Sequence, residues 1–266
     1  MTRVFLTRRA ERQMAGATWT ARTGAGSRDW TAISCSADGQ YIAAAGNSTN
    51  IYTSADGGAT WTARTGAGSR YWTAISCSAD GQYIAAAVSG GYIYTSTNGG
   101  ATWTERTGAG SRDWYGVTCS ADGQRIAAAA YVGYIYTSTD GGATWTERTG
   151  AGSRDWYGVT CSADGQRIAA AVYGGSIYTS TDGGATWTAR TGAGSRYWQA
   201  IACSADGQHI AAAGSATNIY TSTDGGATWT ERTGAGSRNW YGVTGSEDMS
   251  LIAAGAGGNY IYTSEG

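Results

Sequence analysis

Apolar and polar positions along this chain alternate in short runs, and Gly, Asn, Asp or Ser breaks each run before it could make a helix of useful length. From Trp30 to Ser36 large and small β-prone residues alternate, which predicts a strand. Ala37-Asp38-Gly39-Gln40 supplies an Asp-Gly hairpin turn, and Tyr41–Ala45 reads as a second strand. Its alanines favour a helix by propensity, but five residues between turn signals are too few for one. Gly46–Asn50 reads as a loop and Ile51–Ser54 as a third strand. Asp56-Gly57-Gly58 turns the chain into a fourth strand at Thr60–Thr65, and Gly66-Ala67-Gly68 leads onward.

The same order then recurs without an insertion or deletion. One tryptophan falls at Trp19, Trp61, Trp103, Trp145, Trp187 and Trp229, and a second at Trp30, Trp72, Trp114, Trp156, Trp198 and Trp240, each series spaced by 42 residues. A period of 40–45 residues holding four short strands is the signature of a propeller blade. The predicted fold is therefore all-β: a six-bladed β-propeller of four-stranded blades. The pattern opens at the fourth strand of a blade and ends after a third strand at Ile261–Ser264. The expectation is that the N-terminal strand completes the C-terminal blade and closes the ring, hiding both strand edges. Residues 1–13 match nothing in the unit and read as a loose tail, leaving 14–266 as one domain.

Composition narrows the partners. Across 266 residues there are 43 glycines and no proline, so turns rest on Gly, Asn, Asp and Ser. The aromatics are 12 Trp, 18 Tyr and one Phe. A net charge of −1 removes any bulk electrostatic case for nucleic acid or an anionic membrane. No run approaches the 18 or so apolar residues of a membrane helix. The basic start Met1–Arg12 lacks the apolar core of a secretory signal, although a processed secreted form would look the same. A monomeric cytoplasmic protein is expected.

At Ser54-Ala-Asp56-Gly-Gly-Ala-Thr60-Trp61 the unit resembles the Asp-box (BNR) repeat, Ser-x-Asp-x-Gly-x-Thr-Trp, of sialidase-like propellers and of the photosystem II assembly-factor type. Full boxes recur at Ser138–Trp145, Ser180–Trp187 and Ser222–Trp229; Asn98 replaces the Asp in one copy, and Met14 stands in a degenerate first copy. The resemblance implies a propeller, with the box on the hairpin between third and fourth strands, away from the ligand face. Asp56, Asn98, Asp140, Asp182 and Asp224 are accordingly read as structural: a short polar side chain accepting N–H groups of its own turn, beside glycine in φ > 0 and a packed Trp. A ring of calcium or catalytic carboxylates would need more acidic ligands than one per turn.

The remaining chemistry is repeated rather than singular. Sialidase-like chemistry, which the resemblance brings to mind, needs an arginine trio, a Tyr–Glu pair and an acid/base Asp, each placed once, whereas here nearly every Arg, Asp and Tyr recurs with the unit. His209, the only histidine, has Tyr41, Tyr83, Arg125, Arg167 and Leu251 as counterparts and no evident partner. Cys35, Cys77, Cys119, Cys161 and Cys203 sit at one strand position, too far apart between blades for disulfides and read as reduced, buried apolar groups. No catalytic residue, metal or cofactor is expected. Arg28, Arg70, Arg112, Arg154, Arg196 and Arg238 read either as a guanidinium ring for a ligand or as side chains that pair with a neighbouring carbonyl or Asp and cover a Trp face.

The few differences between copies concentrate beside the second Trp and in the loop between second and third strands. In an up-and-down blade those two connections share one face. The candidate binding rim is thus the six arginines with Tyr71, Tyr115, Tyr131, Tyr157, Tyr173 and Tyr197. The function expected is a non-catalytic recognition scaffold for a glycan or a peptide or protein ligand. Two alternatives stand: a recently amplified or designed repeat with no selected ligand, and a sialidase-like glycoside hydrolase.

Overall fold

The computed structural model describes residues 20–258 and 260–265. The tail read at 1–13 and the degenerate first box lie outside the described residues. Blade 1 is an antiparallel meander of strands Trp30–Cys35, Ile42–Gly46, Ile51–Ser54 and Thr62–Arg64. Its register runs Ser34↔Ala43, Ala43↔Thr53 and Thr53↔Thr62. The unit repeats with first strands at Trp72–Cys77, Trp114–Cys119, Trp156–Cys161, Arg196–Cys203 and Trp240–Gly245. Blades 2 and 3 are separate four-stranded sheets, whereas blades 4 and 5 merge because Tyr173 pairs with Tyr197 and Gly175 with Arg196. Blade 6 has three strands among the described residues, Trp240–Gly245, Leu251–Ala256 and Ile261–Glu265. The protein is an all-β chain of small antiparallel blades in the β-propeller fold.

Two local details differ from the sequence expectation. The second strand starts at Ile42 rather than Tyr41, and the fourth is only Thr62–Arg64. A single 3-10 turn, Thr65–Ala67, follows it, because Gly68 takes φ +75° and donates its N–H to the Thr65 carbonyl. Glycine reaches that φ without steric cost.

The core lies between blades. Along the second strand successive side chains face opposite neighbours. Ala43 and Ala45 of blade 1, with Ile51, pack on Trp72, Ile75, Ile84 and Tyr94 of blade 2. One step on, Ala85, Ala87 and Ile93 pack on Trp114, Val117 and Tyr136 of blade 3. Methyl-sized side chains on one sheet let it close on the large ones of the next. The second-series tryptophans Trp72, Trp114, Trp156, Trp198 and Trp240 are completely buried, each with a Tyr ring edge-on at 5.2–5.5 Å. Burying each contributes about 4–6 kcal/mol of transfer free energy as an upper bound. The box tryptophans are half-buried, and Trp103, Trp145, Trp187 and Trp229 pack against the clusters between neighbouring blades, beside the fully buried second series.

First strands neighbour one another from blade 1 to blade 6 in sequence order. Among the described residues blade 6 does not pack on blade 1. Trp30 is 38% exposed and Ile33 69%, where Trp72 is at 0% and Ile75 at 7%. The described residues do not by themselves join blade 6 to blade 1, so closure of the ring rests on the sequence expectation. No helix among the described residues is long and apolar enough to cross a membrane.

Candidate functional site: an aromatic rim

The 2–3 loop of each blade lies against the linker entering the next: Thr49 bridges to Arg70, Gly91 to Arg112, Gly133 to Arg154 and Thr217 to Arg238. These two variable segments therefore share a face. The Asp-boxes sit on the other face, where the Gly57 N–H donates to the Gln40 carbonyl and ties the 3–4 turn to the 1–2 turn.

On the rim, each of the six arginines is committed to its own blade. The Nε of Arg28, Arg70, Arg112, Arg154, Arg196 and Arg238 donates to the carbonyl three residues earlier at 2.8–3.1 Å. Their guanidinium carbons stand 4.6–4.8 Å from the centroids of Tyr52, Tyr94, Tyr136, Tyr178, Tyr220 and Tyr262. The aromatic face they cover belongs to the third-strand Tyr, not to a Trp as expected. In blades 2 and 3 the group also lies 3.9 and 3.8 Å from Glu105 and Glu147, and Tyr94 and Tyr136 donate their hydroxyls to those carboxylates. Burial, then the hydrogen bond to the Glu, pushes Tyr94 and Tyr136 up to about 12, so both stay neutral donors. Fork and face contacts together fix each arginine.

The tyrosines behave differently. In every blade the first strand carries a bulge immediately after its Trp: Trp114 pairs with Ala130 and Gly116 with Ala129, which leaves Tyr115 as the extra residue. The same position is Thr31, Thr73, Tyr157, Gln199 and Tyr241 in the other blades. A bulge re-aims its side chain and frees it from ladder pairing. In blades 1 and 2 it is used structurally, for Thr31 and Thr73 donate their hydroxyls to the Trp72 and Trp114 carbonyls of the next blade at 2.6 Å. In blades 3 and 4 it holds an aromatic ring instead. Tyr115 lies 4.8 Å from Tyr157 and 5.0 Å from Tyr131; Tyr157 stacks on Tyr173 at 4.8 Å and 25°; Tyr173 meets Tyr197 at 4.9 Å. Five rings thus form one continuous strip across blades 3 to 5. Gly116 lets the first strands of blades 3 and 4 approach closely, since a Cβ there would stand 3.1 Å from Val159. Burial first, then the neighbouring Tyr115 and Tyr173, raises the Tyr157 hydroxyl.

Of the rim residues read from the sequence, the structure joins Tyr115, Tyr131, Tyr157, Tyr173 and Tyr197 and leaves Tyr71 exposed outside the strip. Tyr241 and Tyr260 are also exposed on blade 6. The bulge was not legible beforehand; its only trace is that the residue after the second Trp differs between copies, as Thr, Tyr or Gln. Polar neighbours are few: Asp113 accepts from Ser89 Oγ at 3.0 Å, and Gln199 donates to Ser215 Oγ at 2.5 Å.

The boxes have the geometry of a self-satisfied turn. In blade 3, Ser138 Oγ donates to Asp140 and accepts from the Gly142 N–H, while Asp140 accepts from the Thr144 N–H at 2.8 Å and from its hydroxyl at 2.5 Å. Trp145 Nε1 donates to the Gly142 carbonyl. These donors, the Thr144 hydroxyl above all, hold Asp140 at about 2. Asp56, Asp182 and Asp224 are held likewise, and Asn98 keeps the same turn, with its amide donating to Thr102 Oγ1. Each box carboxylate is thus held by three donors of its own turn. Among the described residues no group of three or more His, Cys, Asp or Glu could hold a metal ion. The five cysteines are free; Cys35 is exposed, and burial pushes Cys77 up to about 12 and Cys119 and Cys203 up to about 11.

Comparison with curated proteins finds no match to this sequence. The BNR/Asp-box repeat model matches three times, at 136–147, 178–189 and 220–231. Among solved structures, the chain is similar to the GH74 xyloglucanase from Xanthomonas campestris, with 21% identity and a TM-score of 0.68 over 91% of this chain and 38% of that one. YCF48 from Cyanidioschyzon merolae gives 18% identity and 0.66, over 89% of this chain and 82% of that one. The RRP9 WD40 repeats give 12% and 0.72, over 90% and 76%. The chain spans little more than a third of the GH74 enzymes it matches. At these identities the likeness is one of fold. The chain carries BNR/Asp-box repeats on a β-propeller.

Proposed function

We propose that this protein is a non-catalytic recognition scaffold on a six-bladed propeller, and that its tyrosine strip binds a neutral carbohydrate chain. The observation that carries this reading is the unbroken run of five rings at 4.8–5.0 Å along one rim, three blades long. Half-exposed tyrosines offer flat apolar faces and hydroxyls at little entropic cost. A pyranose has the complementary form, with one C–H face and a rim of hydroxyls. Each of the six arginines already gives its Nε to a carbonyl and its guanidinium face to a tyrosine, and two lie beside a glutamate, which competes with a carboxylate or phosphate ligand. That argues against acidic sugars, and with them against the sialidase alternative. The fold, shared with a xyloglucanase, is compatible with a polysaccharide ligand.

A peptide or protein ligand is the second reading, favoured by the likeness to WD40 repeats. The test is an array of neutral and acidic oligosaccharides together with a peptide library, probed with the wild type and with Tyr157→Ala. Binding to neutral sugars that Tyr157→Ala abolishes, with no sugar cleavage, is the expected result. Retention by peptides alone selects the second reading. Binding to acidic sugars that survives Tyr157→Ala, or binding to nothing, refutes the strip as the site.

A further inference from the structure

The tyrosine strip ends in blade 5 on a group of polar side chains that the fold does not use up. The bulge that re-aims Tyr115 in blade 3 and Tyr157 in blade 4 recurs in blade 5, where Trp198 pairs with Gly214 and Ala200 with Ala213. Gln199 is the extra residue there, so a carboxamide follows two phenol rings at one position of three successive blades. It also stands two residues after Tyr197, the last ring of the strip, which meets Tyr173 at 4.9 Å. Rings give way to an amide within one strand.

Two neighbours complete the group. Gln199 Nε2 donates to Ser215 Oγ at 2.5 Å, and the Ser215 N–H donates to the Tyr197 carbonyl at 2.9 Å, which seats the serine beside the last ring. Next to it the Ala216 N–H donates to Asn239 Oδ1 at 3.0 Å. Gln199 and Ser215 are half-buried and Asn239 is exposed, so solvent reaches all three. Much of their hydrogen-bonding capacity is left over. Gln199 keeps a second amide N–H and both acceptor sites of Oε1, Ser215 keeps its hydroxyl hydrogen, and Asn239 keeps two amide hydrogens, none with a protein partner among the described residues.

Blades 1 and 2 treat the same position differently. There Thr31 and Thr73 turn their hydroxyls inward, to the Trp72 and Trp114 carbonyls of the next blade. In blade 5 that inward bond to the Trp240 carbonyl is not made, and the side chain joins a rim loop instead.

We infer that Gln199, with Ser215 and Asn239, is a subsite that reads a neighbouring pair of hydroxyls on the sugar lying beyond Tyr197, an inference that rests on the carbohydrate reading of the strip. An aromatic face grips the C–H side of a pyranose and does not sense how its hydroxyls are arranged. A planar amide holds a donor and an acceptor side by side and so matches two adjacent hydroxyls, one accepting and one donating. An ether oxygen only accepts, and leaves Oε1 without a partner. The opposite end of the strip lacks this pairing. Asp113, whose carbonyl takes the Tyr131 N–H, carries a carboxylate that only accepts. The rings hold the chain, and the amide selects among neutral sugars.

Isothermal titration with xyloglucan and cellulose oligosaccharides, their secondary hydroxyls free or methylated, tests this on the wild type, Tyr157→Ala and Gln199→Thr. Threonine is what blades 1 and 2 carry at this position, so Gln199→Thr should melt at or above the wild-type Tm. The wild type should bind the free sugars about 10-fold more tightly than the methylated ones, the worth of two neutral hydrogen bonds. Gln199→Thr should bind the free sugars about 10-fold more weakly and lose most of that preference, and Gln199→Ala should do the same. An undiminished preference in both Gln199 variants, with binding that Tyr157→Ala still abolishes, would overturn the subsite and leave the strip standing. A wild type that binds none of these sugars would remove the carbohydrate reading and the subsite together.

Discussion

The alanines of the second strand make the joint between blades quantitative. In blade 3, Ala128 and Ala130 lie on the same side of the strand, at 0% and 1% exposure, facing Ala85 and Ala87 of blade 2. Valine adds two methyl groups to either position. Were there room, burying them would contribute about 1.6 kcal/mol. At 128 there is none: the position is Ala in all six units and is held between Val117 and Tyr136 on the paired strands. Overpacking there should cost about 1–3 kcal/mol. At about 2–4 °C per kcal/mol for a chain of this size, Tm should fall by about 2–12 °C. At 130 the outcome differs. Val88 and Val172 fill that position in blades 2 and 4 at 5% exposure, each with a glycine three residues on that leaves room for a Cγ. Gly133 stands at the same place in blade 3, where a Cβ would come within 2.9 Å of the Ala130 Cβ. Ala130→Val should therefore stay within about 1 kcal/mol of the wild type, or about 4 °C. Scanning calorimetry or circular-dichroism melts of the two variants decide the matter. An equal shift for both, or a wild-type melt for Ala128→Val, would refute the account of the joint.

Two further outcomes follow from the turns and the rim. Because Asp56, Asp140, Asp182 and Asp224 fall to about 2 in the folded state from 3.8, their stabilisation is complete above pH about 4 and is lost as pH falls toward 2. Melting temperature should drop across that window, and the drop should be shallower in an Asp140→Asn, Asp182→Asn, Asp224→Asn triple variant that still folds at pH 7, as the Asn98 turn implies; an unchanged pH profile would remove the boxes as its cause. Arg112→Lys replaces a fork over Tyr136 by a point charge and should lower stability by about 1 kcal/mol, seen as a Tm lower by about 2–4 °C; a wild-type melt would show the contact to be passive.

Much of the architecture could be read in advance because the repeat states it six times. Strand order, the hairpin turns, the self-satisfied Asp-box and the shared face of two variable segments all follow from local chemistry at fixed offsets. The candidate rim was legible only as a zone. Arginines and tyrosines looked equivalent there, since both recur and both suit a ligand. Which of them is free depends on a third-strand Tyr that lies 24 residues downstream of each Arg in sequence and beneath its guanidinium in space. The strip itself needs the first-strand bulge, and a bulge depends on how two strands slip past one another rather than on the composition of either.

What the sequence determined by itself is the blade: period, strands, turns and the alternation of alanine with large side chains that makes sheets stack. Local propensity and pattern suffice for that, because every contact they invoke lies within one unit or its neighbour. The tertiary structure alone decided which aromatic rings touch. That outcome depends on how neighbouring blades pack and on where each first strand bulges, and no single 42-residue unit encodes it.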